Sequence, residues 1–155
     1  MGAMFLAAAE ALAQDGEESQ RRIVVSISDR RLTVFEDGRL VKIYPTAVGA
    51  DATPSPTGVF KIANRVKNPT WYGPKGLVVQ PGKSNPLGDR WMGLTRKGYG
   101  IHGTPDPSKV GKSESHGCVR LTNWDALRLA AGITKGTPVD FSGQEQVASE
   151  SRRKR

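Results

Sequence analysis

The stretch IVVSISDRRLTVFEDGRLVKIYPTAVG, residues Ile23 to Gly49, alternates apolar and polar residues in short runs rich in Val, Ile, Thr and Phe. A period of two with β-branched and aromatic side chains is the signature of a strand with one face on a core. Asp37-Gly38 separates Leu32 to Phe35 from Leu40 to Tyr44, and both residue types tolerate positive φ, so the pair predicts a type I′ turn and an antiparallel hairpin.

Working outward, the segment from Ala50 to Trp91 carries most of the prolines and many of the glycines. Strands are expected at Val59 to Ala63 and Leu77 to Gln80, joined by loops long enough to face a substrate. Two further short strands are expected at Trp91 to Thr95 and Tyr99 to His102. One helix stands out, TNWDALRLAAG, with Thr122 and Asp125 in a capping-box-like start, Trp124, Leu127 and Ala131 at helical spacing, and Gly132 as C-terminal cap. The run TPVDFSG then predicts a last strand.

These elements predict a mainly β fold with one short helix. The chain's 155 residues, 37% of them hydrophobic, with 18 glycines and 10 prolines, suit one loop-rich domain. Its expected limits are residues 22–142, flanked by an arm at 1–21 and a basic tail at 143–155. The opening MGAMFLAAAEALAQ ends an apolar run with small residues at Ala11 to Ala13, as secretory leaders do, but lacks a basic start and is interrupted by Glu10. It reads either as the remnant of an export signal or as an arm beside a cloning scar. The first reading predicts an exported, periplasmic or otherwise extracytoplasmic protein. Nothing in the chain has the 18 to 20 or so apolar residues in a row that a membrane-spanning helix needs. The formal charge of +8 favours polyanionic surroundings such as an acidic cell-wall polymer. Nucleic acid is not expected as a partner, because the basic residues do not interleave with aromatics in a binding module.

Chemistry concentrates in ESHGCVRLTNWD, Glu114 to Asp125, which holds the only cysteine and one of the two histidines. A lone cysteine is more often a small buried hydrophobe than a nucleophile. Here its neighbours reverse that reading. If Ser115 to Arg120 is extended, His116 and Cys118 project on one face, and an imidazole beside a thiol can take its proton. Gly117 permits unusual dihedrals and close approach, and the amides of Gly117 and Cys118 can point at a developing oxyanion. Arg120 returns on the same face, a cation for a substrate carboxylate or the organiser of the loop. Asn123 is a weaker candidate, since its place beside the helix cap already accounts for it.

The longer run IHGTPDPSKVGKSESHGCVRL resembles the signature of the L,D-transpeptidase catalytic domain, the YkuD-like family: a histidine followed about a dozen residues later by Ser-His-Gly-Cys. TPSPTGVFKI, NPLG before a strand, and IHGT stand in the family's order, and the resemblance covers roughly Arg22 to Phe141. Some members have asparagine where this chain has Arg120. The segment between Trp71 and Asn85 is shorter than in several relatives, which implies a small flap over the site. The resemblance implies a mostly β, sandwich-like fold and a cysteine acyltransferase acting on peptidoglycan stem peptides. Cys118 attacks the carbonyl between the L-centre of the third residue and the terminal D-alanine, a thioester forms, and a neighbouring stem's amine gives a 3-3 cross-link. With water as acceptor the same thioester makes an L,D-carboxypeptidase, and with a lysine it anchors a lipoprotein. His116 is then general base and acid, its ring oriented by a carbonyl near Ser115. His102 and Gly103 line the cleft wall, and Ser115 and Arg120 join them on the substrate side. Carbapenem-type β-lactams are expected to acylate the cysteine, and no cofactor is implied.

Two rivals stay open at this point. His102, His116 and Cys118 supply three ligand types suited to zinc, although no fourth ligand is evident and no metal is expected. A catalytically idle wall-binding domain would carry the same motif without turning over.

Overall fold

In a computed structural model of the chain, residues 20–50, 54–115 and 117–142 are described. Most of the arm 1–21, all of the tail 143–155, and His116 lie outside them. Among the described residues the chain is mostly β with one helix.

The first hairpin forms as the sequence predicts. Strands β1 (Arg21–Ser26), β2 (Arg31–Glu36) and β3 (Arg39–Pro45) pair antiparallel in chain order. Between β2 and β3, Asp37 and Gly38 take φ of 52° and 80°, both positive as the I′ turn demands. The alternation is only half expressed, because Ile23 to Ser26 and Leu32 to Phe35 are buried at every position. β1 and β2 are therefore covered on both faces, the environment of interior strands.

A short β4 (Val48–Gly49) follows, then the long β5 (Gly58–Lys67), β6 (Trp71–Tyr72), β7 (Val78–Val79), β8 (Arg90–Leu94), β9 (Gly100–His102), β10 (Ser113–Ser115) and β11 (Val119–Arg120). Helix α1 (Asn123–Gly132) and β12 (Pro138–Ser142) complete the set. The eight-stranded sheet has the order β11-β9-β8-β5-β12-β1-β2-β3, with two-stranded ribbons β10-β4 and β6-β7 beside it. The last strand lies in the middle, parallel to β1 and antiparallel to β5.

The sheet curls on itself. β3 stands at one end and finishes at Pro45, yet Ala47 already exchanges both backbone hydrogen bonds, at 2.8 and 2.9 Å, with Arg120 at the opposite end. Two residues reach at most about 7 Å, so the ends of the sheet meet and enclose one core. Ile23, Val25, Leu32, Val34 and Tyr44 from β1 to β3 face Ile62, Met92, Leu94, Ile101 and Val119 from the other half.

Three expectations need correction. The strand expected at Leu77 to Gln80 shrinks to Val78–Val79, because its partner is only the two residues of β6. The helix turns a different face inward: Ala126, Leu129 and Ala130 are buried, whereas Trp124 is 60% exposed, its ring under the guanidinium of Arg128 at 4.9 Å. Small alanines let the helix backbone approach β8 and β9 closely, where a Trp would hold it off. Gly132 is the last helical residue, with Ile133 in the cap position at φ −113°. Its carbonyl accepts from the Arg21 guanidinium, which occupies the space a Cβ would take.

Candidate active site

Cys118 sits where the chain enters the sheet. The expectation of one extended run from Ser115 to Arg120 does not hold: β10 pairs with β4, β11 pairs with β9, and between them Gly117 takes φ of +115°. A Cβ on Gly117 would lie 2.5 Å from Cε1 of Tyr99 and 3.3 Å from the Pro54 carbonyl. Only glycine fits that turn, both for its dihedral and for its space. Same-face projection of His116 and Cys118 therefore does not follow from their spacing, and His116 itself lies outside the described residues. Ser115 is placed by its backbone, opposite Gly49 of β4.

The parallel pairing of β9 with β11 puts His102 opposite Arg120, and Trp91 of β8 pairs with His102 from the other side. Paired residues share a sheet face, so Trp91, His102 and Arg120 form one row. Ile101 and Val119, one residue along, point into the core at 0% exposure. The Trp91 ring stacks on the His102 ring with centroids 5.8 Å apart and planes at 25°. It also passes over Gly100, where a Cβ would come within 2.5 Å of it. Gly100 is thus a glycine because the aromatic wall of the site needs its space.

His102 is 4% exposed, with Nδ1 2.7 Å from the Gly103 carbonyl oxygen. A carbonyl only accepts, so Nδ1 carries the proton. Burial, reinforced by the nearby charge of Arg120, brings the imidazolium pKa down to about 4, against a smaller opposing effect of the Gly103 bond. At neutral pH the ring is therefore uncharged, and its Nε2 holds a lone pair. Gly103 is held in turn by α1: Oδ1 of Asn123 lies in the space a Cβ on Gly103 or Gly88 would take, and accepts the Asp89 amide at 3.1 Å. Thr122 caps the helix by accepting the Asp125 amide at 3.1 Å, and the Leu121 amide bonds the His102 carbonyl at 2.8 Å. The helix start is thus a brace for the histidine.

Half-buried Cys118 directs Sγ toward the Gly98 carbonyl at 3.7 Å. Burial raises the pKa of its thiol, while the Gly100 backbone and the Arg120 charge oppose that rise. At rest the thiol and the imidazole are thus each neutral. Arg120 has its Nε buried without a hydrogen-bond partner among the described residues, on the row shared with His102. Among the described residues no three His, Cys, Asp or Glu side chains gather as a metal site would need.

Sequence reasoning missed Ser55 and Tyr99 and undervalued Asn123. Ser55 stands between two prolines before a strand, a rigid setting that signals a fixed side chain. Asn123 had a signal as well, since Gly88 and Gly103 are small residues awaiting a partner.

The family model of the L,D-transpeptidase catalytic domain, YkuD, matches residues 20–141. The chain is 42% identical over 121 residues to YkuD of Bacillus licheniformis, an L,D-transpeptidase by name, covering 78% of this chain and 65% of that protein. To YqjB of Bacillus subtilis, named likewise, it is 34% identical over 137 residues, covering 83% of this chain and 77% of that one. The solved catalytic domain of an E. faecium L,D-transpeptidase acylated by ertapenem superposes with a TM-score of 0.65 at 26% identity, covering 82% of this chain and 100% of that one. The chain spans 65% of the length of the two YkuD relatives from Bacillus. A match of this length, on a fold and a cysteine turn that agree with it, makes the chain a member of the L,D-transpeptidase catalytic domain family.

Proposed function

We propose that this protein is a cysteine acyltransferase of peptidoglycan stem peptides, working outside the cytoplasmic membrane where that substrate lies. The observation that carries the reading is the placement of Cys118 at a glycine-only turn, at the head of the strand whose Arg120 pairs with His102, an oriented, uncharged imidazole. The thiol gives its proton to the imidazole as sulfur attacks the carbonyl between the L-centre and the terminal D-alanine. The oxyanion meets the backbone amides at Gly117 and Cys118. Collapse breaks the C–N bond, the imidazolium returns the proton to the leaving D-alanine amine, and a thioester remains. A second stem's amine then attacks, gives up a proton to the imidazole, and releases the thiolate with a 3-3 cross-link formed. Water or a protein lysine as acceptor gives the carboxypeptidase and anchoring outcomes.

The sequence expectation puts the base at His116. The Gly103 bond that fixes the tautomer, and the neutrality that burial imposes, support His102 in that role, with Nε2 as the accepting atom. Arg120, whose Nε has no partner among the described residues, is suited to a substrate carboxylate, and Ser115 and Gly103 to the walls of the peptide groove. A neutral thiol attacking with base assistance is also the chemistry that takes β-lactams, in line with the ertapenem adduct of the E. faecium relative.

The test is incubation with disaccharide-tetrapeptides, read by mass spectrometry. Wild type should give 3-3 dimers, or tripeptide monomers if water is the acceptor, and Cys118→Ala neither. Removing a general base costs about a hundred- to ten-thousand-fold, so His102→Ala should fall by that much and further than His116→Ala. The reverse order returns the base to His116, and products from Cys118→Ala would sink the mechanism.

A further inference from the structure

Ser55 is 5% exposed, and its hydroxyl is engaged on both sides. It donates to the Gly117 carbonyl oxygen at 2.9 Å and accepts the Gly49 amide at 2.9 Å. A hydroxyl has one proton; with that proton on Gly117 and a lone pair on Gly49, its orientation is fixed. Gly49 is also the residue opposite Ser115 in the β10-β4 ribbon. One side chain therefore ties β4, the ribbon partner of the strand before the cysteine turn, to the turn itself.

The carbonyl it holds belongs to the peptide unit that ends in the Cys118 amide. In a planar trans peptide, C=O and N–H point in opposite directions. Anchoring the oxygen toward Ser55 aims the Cys118 N–H away from Ser55. A glycine at φ +115° has neighbouring conformations close in energy, and the Ser55 bond selects one orientation of that plane. Tyr99 and the Pro54 carbonyl limit the space around Gly117.

We propose that Ser55 is a positioning residue for acyl transfer, holding the Gly117–Cys118 peptide so that the Cys118 N–H faces the carbonyl oxygen under attack. The inference rests on the acyl-transfer reading of the site. It differs from a purely structural role in which of two reactions at the same sulfur it affects. Acylation by a carbapenem builds an oxyanion at the β-lactam carbonyl as the C–S bond forms and the ring C–N bond breaks. Alkylation by iodoacetamide forms a C–S bond and expels iodide, with no oxyanion at the reacting carbon.

The experiment measures both rates on the full chain by intact mass, for wild type, Ser55→Ala and Ser55→Thr. Loss of an oxyanion donor costs about a hundred- to a thousandfold, and loss of its aim should cost Ser55→Ala at least about tenfold in acylation. Alkylation should stay within about twofold of wild type, and Ser55→Thr, which keeps the hydroxyl, should recover most of the acylation. Equal slowing of both reactions, unchanged acylation in Ser55→Ala, or no recovery in Ser55→Thr overturns the proposal. Should Ser55→Ala lose the wild-type circular dichroism spectrum, the isosteric pair Ser55→Thr and Ser55→Val is compared by the same ratio of rates, and an equal ratio in the two overturns it. A wild type that alkylates but takes no carbapenem overturns the acyl-transfer reading and this inference with it. Acylated wild type with an indifferent Ser55→Ala overturns this inference alone.

Discussion

A histidine kept neutral by burial leaves a mark on stability as well as on chemistry. His102 falls from an ordinary pKa of 6.5 to about 4 on folding. Between those values the unfolded chain binds a proton that the native protein does not, so the stabilisation is complete above pH 6.5 and is lost as pH falls toward 4. The slope is at most about 1.4 kcal/mol per pH unit, or about 3 kcal/mol over the window. Urea midpoints measured at several pH values from 7 to 4 should fall more steeply for wild type than for His102→Gln. Parallel curves would mean that the ring is solvated and not held neutral. Much of this site was legible in sequence, because His102, Gly103, Gly117, Cys118 and Arg120 lie in two compact motifs whose residue types state their chemistry. What stayed hidden is carried by distance along the chain. Ser55 meets Gly117 across 62 positions, and no local pattern marks a serine that will bond a carbonyl so far away. The bond that orients His102 was hidden too, since a carbonyl one residue on becomes visible as its partner only when the backbone is placed.

At the scale of elements, the hairpin and the helix differ in how fully sequence determines them. Asp37-Gly38 fixes a turn by dihedral tolerance alone, so β2 and β3 emerge where expected. Helix α1 has its cap where expected, but the face it buries is chosen by the sheet beneath. Trp124, Leu127 and Ala131 make an apolar row in sequence; β8 and β9 accept Ala126, Leu129 and Ala130 instead, and Trp124 stays in solvent on Arg128. Period alone cannot separate two rows offset by so little around a short amphipathic helix. The assignment is directly testable by denaturant unfolding. Leu129→Ala opens a cavity at a position 3% exposed and should cost about 2 to 5 kcal/mol. Trp124→Ala removes a larger side chain yet should stay within about 1 kcal/mol, the cost of an exposed cation–π contact. A larger loss at Trp124 than at Leu129 would restore the face that the sequence favours.

The whole molecule is held together by its last strand. β12 lies between β5 and β1, so the sheet's two halves, which also touch at the Ala47–Arg120 bridge, join strand to strand only after nearly the entire described chain is in place. No sequence pattern announces this order, because strand pairing is settled by which edges remain available and not by the strand's own residues. The consequence is a fold without separable parts: without β12, β1 and β5 would each have an unpaired edge, and the core shared by both halves would open. Phe141 shows the coupling in one side chain. It is 3% exposed, meets the Phe60 ring of β5 edge-on at 5.8 Å, and sits beside Val25 of β1 in the register. Phe141→Ala should cost about 3 to 5 kcal/mol. The loss should also be shared, with Trp91 fluorescence, reporting on β8, and far-UV circular dichroism, reporting on the whole sheet, changing at one denaturant concentration. To make Trp91 the sole fluorescent tryptophan, the comparison is run in a background carrying Trp71→Phe and Trp124→Phe. Separate transitions, with Trp91 melting while half of the sheet signal survives, would show that the halves stand alone and that β12 only bridges them.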